Sequence, residues 1–175
     1  TWVEMTSALI GGEKVHIIAY DENHMSHILD LLTNAGVPMD NVNIIIAEND
    51  DFWIRDNGPI FVYDSESQLT ILDWGFNGWG GQAPFELCDD IPISIAEYLS
   101  IPLIDLNEMV LEGGAFEVDG HGTLMATRSA ITGADRNPGL TESQIEDYME
   151  EYLGVTNFVW FDGLFGGIED ITDQH

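Results

Sequence analysis

Apolar residues along this chain fall into two alternating periods. Residues 15–20, Val-His-Ile-Ile-Ala-Tyr, make a short and nearly continuous apolar run that predicts a buried strand. Met25, Ile28, Leu29 and Leu32 then recur at the spacing of one helix face, and Gly36-Val37-Pro38 predicts the end of that helix. Residues 42–47 return to the strand pattern. Runs at 59–63 and 69–74 flank Asp64-Ser65-Glu66-Ser67 and predict a hairpin. A helix over about 87–99 and a strand near 101–105 come next. A second hairpin has arms at about 114–118 and 123–127, joined by Asp119-Gly120-His121-Gly122, whose glycines accept positive φ. Thr141 and Gln144 have the spacing of a capping box, and Ile145, Tyr148, Met149, Tyr152 and Leu153 continue at helical steps. Residues 157–161 predict another strand.

The order helix, strand, turn and hairpin thus occurs twice and begins a third time. It predicts an α/β fold built from repeated αβ units, each needing neighbours to close its core; an ordinary mixed α/β sheet is the alternative. No Pro/Ser-rich linker or low-complexity run interrupts the pattern, so residues 1–175 read as one continuous domain. A chain of 175 residues that is 45% hydrophobic has the means to bury a substantial core.

Charge narrows the partners. Asp and Glu number 32 against four Lys and Arg, for a formal charge of -28. Phosphate binding needs clustered cations, which excludes nucleic acid and an anionic membrane surface as expected partners. The acidity has two readings, a solvated surface whose repulsion salt screens and a field that gathers a cationic substrate. No segment reaches the roughly 18 apolar residues of a membrane span, and the start lacks a basic-then-apolar signal pattern, so a cytoplasmic location is the default expectation. Cys88 is the one cysteine, which rules out an intramolecular disulfide and a cysteine metal cluster. Its acidic neighbours Glu86, Asp89 and Asp90 disfavour a thiolate, so a structural Cys88 is expected.

Four segments carry candidate chemistry. In residues 51–59, Asp56 suits a guanidinium, since a carboxylate accepts two parallel hydrogen bonds from that planar fork, and Trp53 offers a face to a cation. Arg55 is expected to hold a neighbouring carboxylate or carbonyl. A structural Arg-Asp turn before Gly58-Pro59 is the plainer reading. Residues 73–81, Asp-Trp-Gly-Phe-Asn-Gly-Trp-Gly-Gly, lack the Lys and Ser/Thr of a phosphate loop and suit either an aromatic-lined binding loop or aromatic packing. Glu112, before Gly113-Gly114, either points into a cleft or lies exposed on a bulged strand. At the end, His175 among Glu169, Asp170 and Asp173 suits acid-base work better than a metal site; a frayed polar terminus is the alternative.

Taken in order, residues 53–59, 73–81 and 111–114, then Asn137-Pro138, then Asp170-Ile171-Thr172-Asp173 with His175, resemble the successive motifs of the agmatine deiminase and Porphyromonas-type peptidyl-arginine deiminase family. The resemblance implies a partial pentein-type α/β propeller built from repeated αβ units, incomplete at the C-terminus. It implies that Asp56 grips a substrate guanidinium with Glu112 as a supporting carboxylate, Trp53 beside them, and His175 as the general acid-base residue. The implied reaction is two-step covalent hydrolysis of agmatine or a peptidyl arginine to a ureido product and ammonia, with a cysteine nucleophile and no metal or cofactor. The family's motif continues past His175 to a second Asp and a distal nucleophilic Cys, so this chain alone is expected to be inactive. Ile171 and Gln174 depart from residues common in agmatine deiminases.

The expected partner is therefore a cationic guanidinium compound or an arginyl peptide. Open blade edges imply self-association or pairing with a complementary chain. The competing reading is a noncatalytic module, either guanidinium-binding or structural.

Overall fold

The apolar runs fold into the expected strands. In this computed structural model, residues 1–163 are described. The expectations placed on His175 and its acidic neighbours lie outside the described residues. The chain divides into two compact units, Thr1–Asn49 and the residues from Asp50 onward.

The first unit contains α1 (Trp2–Leu9), β1 (Val15–Ala19), α2 (Glu22–Asn34) and β2 (Val42–Ile46). β1 and β2 pair in parallel with Val15 opposite Val42, a pairing that requires a crossover, which α2 supplies. The α2 start is fixed by Asp21, whose carboxylate accepts from the His24 amide at 2.7 Å. Ile10, Leu32 and Val37 form the small core of this unit, with Ile17 and Ile28 packed against it. α1 was not expected; its large apolar residues Trp2, Met5 and Leu9 are exposed, so they do not read as a core-facing stripe.

The second unit begins with α3 (Ile54–Asn57), β3 (Ile60–Tyr63), β4 (Leu69–Gly75) and the distorted turn α4 (Gly78–Gly81). It continues through α5 (Glu86–Asp89), α6 (Ile91–Leu99), β5 (Leu103–Val110), β6 (Phe116–Val118) and β7 (Thr123–Thr127). α7 (Arg128–Ile131), α8 (Glu142–Leu153) and β8 (Asn157–Phe161) complete the described elements. Its two sheets share one plan. In β3-β4-β5 and again in β6-β7-β8, an antiparallel hairpin is followed by a crossover to a parallel third strand. Among the described residues, three parallel βαβ crossovers therefore recur, two of them preceded by a hairpin strand, which is the repeated αβ unit that the apolar pattern implied.

Two boundaries differ from expectation. The helix over 87–99 is two helices, α5 and α6, with Pro92 in the first turn of α6, where a missing N–H costs nothing. The strand near 101–105 extends to Val110 because β4 and β5 slip register, so that Trp74 faces Leu106 but Gly75 faces Val110. At that bulge a side chain on Gly75 would press on the Asn107 carbonyl at 3.0 Å. The slip delivers Leu111, whose amide donates to the Gly75 carbonyl at 3.1 Å, and with it Glu112.

The main core lies between these two sheets and α8. Leu72 and Trp74 of β4 pack with Leu106, Leu124, Ile145 and Met149. Trp74 stands edge-on to Tyr148 and Tyr152, with centroids 6.5 and 6.1 Å away.

Candidate functional site

The loop ahead of α3 is fixed at its root by sulfur. Cys88 is fully buried and its Sγ accepts from the amides of Asp50 and Asp51 at 3.3 and 3.1 Å. Burial pushes its thiol up, outweighing the two amides that favour the thiolate. The Asp51 carboxylate in turn accepts from the amides of Phe52 and Trp53, at 2.5 and 3.3 Å. The loop so formed presents Phe52 and Trp53 to solvent, their rings tilted 34° with centroids 5.0 Å apart.

One turn further on, the chain goes inward. Asp56 and Asn57 are buried while Arg55 is exposed. Arg55 departs from expectation, since it makes no ion pair among the described residues; its guanidinium stays in water, where no fixed partner is needed. Asp56 Oδ2 accepts from the Trp79 indole nitrogen at 3.2 Å. Trp79 is buried, edge-on to Phe76, and holds φ 56 and ψ 46. A bulky residue rarely adopts that left-handed conformation unless its surroundings impose it.

Gly75, Gly78 and Gly80 of residues 73–81 sit in close contacts within the protein. At Gly80, with φ +81, an added Cβ would lie 2.6 Å from the Arg136 guanidinium. Asn77 accepts from the Gly80 amide and donates to the Asp135 carbonyl, both at 2.8 Å.

Glu112 is neither exposed nor on a plain bulged strand. Its side chain is wholly buried against Arg136, whose Nε donates to Oε1 at 2.6 Å. The next residue, Gly113, meets the Arg55–Asp56 backbone; its amide makes a long 3.4 Å hydrogen bond to the Asp56 carbonyl. Any Cβ at Gly113 would overlap the Arg55 carbonyl. Asp56 and Glu112 are thus brought together through adjoining backbone, and Trp53 stands at the surface one turn before Asp56.

The Porphyromonas-type peptidyl-arginine deiminase family matches across residues 1–175. The chain belongs to that family. Members similar to it include agmatine deiminases of Pseudomonas syringae pv. tomato, 37% identical over 147 residues, and of Pseudomonas aeruginosa, 37% identical over 150 residues. Each match covers 81% of this chain but only 39% and 40% of those relatives, so the chain spans about two fifths of their length. A substrate-bound cysteine-to-serine variant of C. jejuni agmatine deiminase superposes with TM-score 0.84 at 25% identity, covering 99% of this chain and 49% of that one. The Porphyromonas gingivalis structure described as a putative arginine deiminase gives TM-score 0.84 at 28% identity, covering 99% and 50%. The fold is accordingly the pentein-type α/β fold of this deiminase family.

Sequence reasoning passed over Arg136 and the partner role of Trp79. Arg136 directly precedes Asn137-Pro138, and the sequence pattern shows it only as a charge. Its signal is scarcity: in a chain with four Lys and Arg, a cation beside a family motif has a specific use. Among the described residues, no group of three or more His, Cys, Asp or Glu is arranged to hold a metal ion. No described helix is long and apolar enough to cross a membrane.

Proposed function

We propose that this chain supplies the guanidinium-binding part of a guanidine deiminase acting on agmatine or a peptidyl arginine. The observation that carries this reading is the buried Asp56 carboxylate, whose Oδ2 accepts from the Trp79 indole at 3.2 Å, three residues after the exposed Trp53. A carboxylate accepts two parallel hydrogen bonds from a planar guanidinium, and an aromatic face favours a cation. Glu112 supports the same charge from the adjoining strand end.

In the proposed reaction a cysteine thiolate attacks the guanidinium carbon while His175 protonates the departing nitrogen, and ammonia leaves. Water, deprotonated by the same histidine, then releases the ureido product and restores the thiolate. Cys88, buried and with its thiol pushed up, does not suit the nucleophile, which favours a second reading in which this chain binds guanidinium compounds without turnover.

Calorimetric titration with agmatine, free arginine and an arginyl peptide tests the site. Binding of at least one of them, abolished by Asp56→Asn, is the expected result. No binding by the folded protein would leave a structural module in its place.

We also infer self-association or pairing with a complementary chain. Met125 and Val159 are cross-strand neighbours and Phe161 follows on the same face of the β6-β7-β8 sheet; they are 44%, 40% and 53% exposed. Light scattering at micromolar concentration is expected to give a mass above one chain, and a clean monomer counts against it.

A further inference from the structure

The Arg136 side chain is fully buried in a chain that has almost no cations to spare. A buried guanidinium is tolerated only where carboxylates and hydrogen bonds replace its water. Here Nε is on Glu112 at 2.6 Å and Nη1 is on Asp135 at 2.9 Å. The next residue stops any drift of this segment: Asn137 accepts from the Val110 amide and donates to the Val110 and Ile131 carbonyls, at 2.9, 2.8 and 2.8 Å. Val110 ends β5, just ahead of Glu112, so the guanidinium and its carboxylate are anchored to the same strand end.

From this anchor the contacts run two ways to Asp56. On one side, Gly80 lies against Arg136 and Asn77 bonds to the Asp135 carbonyl, which fixes the Asn77–Gly80 loop. Trp79, forced to positive φ within that loop, carries its indole N–H onto Asp56 Oδ2. On the other side, Glu112 is followed by Gly113, whose amide reaches the Asp56 carbonyl. The two routes close a ring: Arg136, the Asn77–Gly80 loop, Asp56, Gly113, Glu112 and back to Arg136.

We propose that Arg136 is a positioning residue that couples the Glu112 and Asp56 carboxylates into one unit through the Asn77–Gly80 loop. Its effect on ligand binding rests on the guanidinium-binding reading above, whereas the coupling itself does not. A lysine does not fill the position, because it lacks the planar fork that meets Glu112 and Asp135 at once.

The indole N–H of Trp79 reports the coupling without any ligand. In nitrogen–proton correlation spectra of the full chain, with indole signals assigned by Trp→Phe variants, Arg136→Gln is expected to shift the Trp79 signal. Its solvent exchange should speed by about tenfold, the loss of one hydrogen bond's worth of protection. The Trp160 indole, which donates to Glu146 on α8, should stay in place. Asn77→Ala cuts the same route without stranding a buried charge, so it carries the test if Arg136→Gln does not fold. A Trp79 indole unmoved in the folded variants overturns the proposal.

Agmatine titrations then follow the consequence. Arg136→Gln and Arg136→Lys are each expected to weaken binding by about tenfold or more. Arg136→Gln should add no further loss in a Glu112→Gln background, where a residue needed only for folding would add its full effect. Additive losses overturn the coupling through Glu112. A responsive indole in a protein that binds no agmatine, arginine or arginyl peptide upholds the coupling and removes the guanidinium reading instead.

Discussion

The Asp51 amide nitrogen lies 3.1 Å from Cys88 Sγ, thirty-seven residues further along the chain. Sulfur is a weak acceptor, but here it also takes the Asp50 amide and closes the root of the loop that leads to Asp56. Cys88→Ala removes this acceptor and leaves a small void, a change expected to cost about 1–3 kcal/mol. Thermal or denaturant unfolding followed by circular dichroism checks the loss. Because burial raises the thiol, a thiol-specific reagent should modify Cys88 slowly in the native protein and at once in denaturant.

A second prediction concerns pH. Asp73 of β4 is buried, its Oδ2 accepts from Asn107 at 3.3 Å, and its Oδ1 has no hydrogen-bond partner among the described residues. Burial, followed by the charges of Asp89 and Asp105, pushes its carboxyl up from 3.8 to about 6; Asp90 adds to the same effect and the Asn107 amide opposes it. A folded-state value above the unfolded one means that folding takes up a proton. The stabilisation is then complete below about pH 3.8 and is lost as pH rises through about 6. At pH 7.5 the protein carries the full cost of a buried charge, on the order of 2–3 kcal/mol. Asp73→Asn should raise Tm by several degrees at pH 7.5 and make little difference at pH 4, read by melting both proteins side by side across the range.

How far these features were legible depends on the range of the interactions. Strands β1, β2, β7 and β8 and helices α2 and α8 were readable because their periods are local. The turn of the second hairpin was readable because Gly120 and Gly122 announce positive φ, which both adopt. The four-residue turns α3 and α7 are too short to show a period. The site was half legible: Asp56 and Glu112 stand in recognisable motifs, but what holds them does not. Trp79 reaches Asp56 across 23 positions and Arg136 reaches Glu112 across 24, and no local pattern encodes either pairing. The split of α5 from α6 and the slip at Gly75 follow from packing between strands and helices, which periodicity also leaves out.

The capping box at α8 shows what local chemistry does specify. Thr141 Oγ1 accepts from the Gln144 amide at 3.3 Å, and Gln144 Oε1 accepts from the Thr141 amide at 2.9 Å. Both satisfy donors that the helix itself leaves open. Thr141→Ala should cost about 1 kcal/mol, or about 2–4 °C in Tm, without changing ligand binding. A larger loss would mean that α8, which carries Ile145 and Met149 into the core, depends on its cap more than on its packing.

The last prediction separates two kinds of glycine. Gly139 has open space around its Cα and no positive φ, so Gly139→Ala is expected to be neutral or slightly stabilising, since alanine restricts the unfolded chain more. At Gly113 the added methyl meets the Arg55 carbonyl, which is backbone and cannot swing aside. Gly113→Ala must therefore push Glu112 and Asp56 apart or lift the α3 turn. Either displacement strains the Trp79 contact to Asp56 and the Arg136 contact to Glu112 together. A cost of about 1–3 kcal/mol is expected, with weakened guanidinium binding in whatever fraction remains folded. Denaturant unfolding and calorimetry on the two variants make the comparison, and equal behaviour of Gly113→Ala and Gly139→Ala would show that the backbones of the two carboxylate segments are not in the close contact on which their shared position depends.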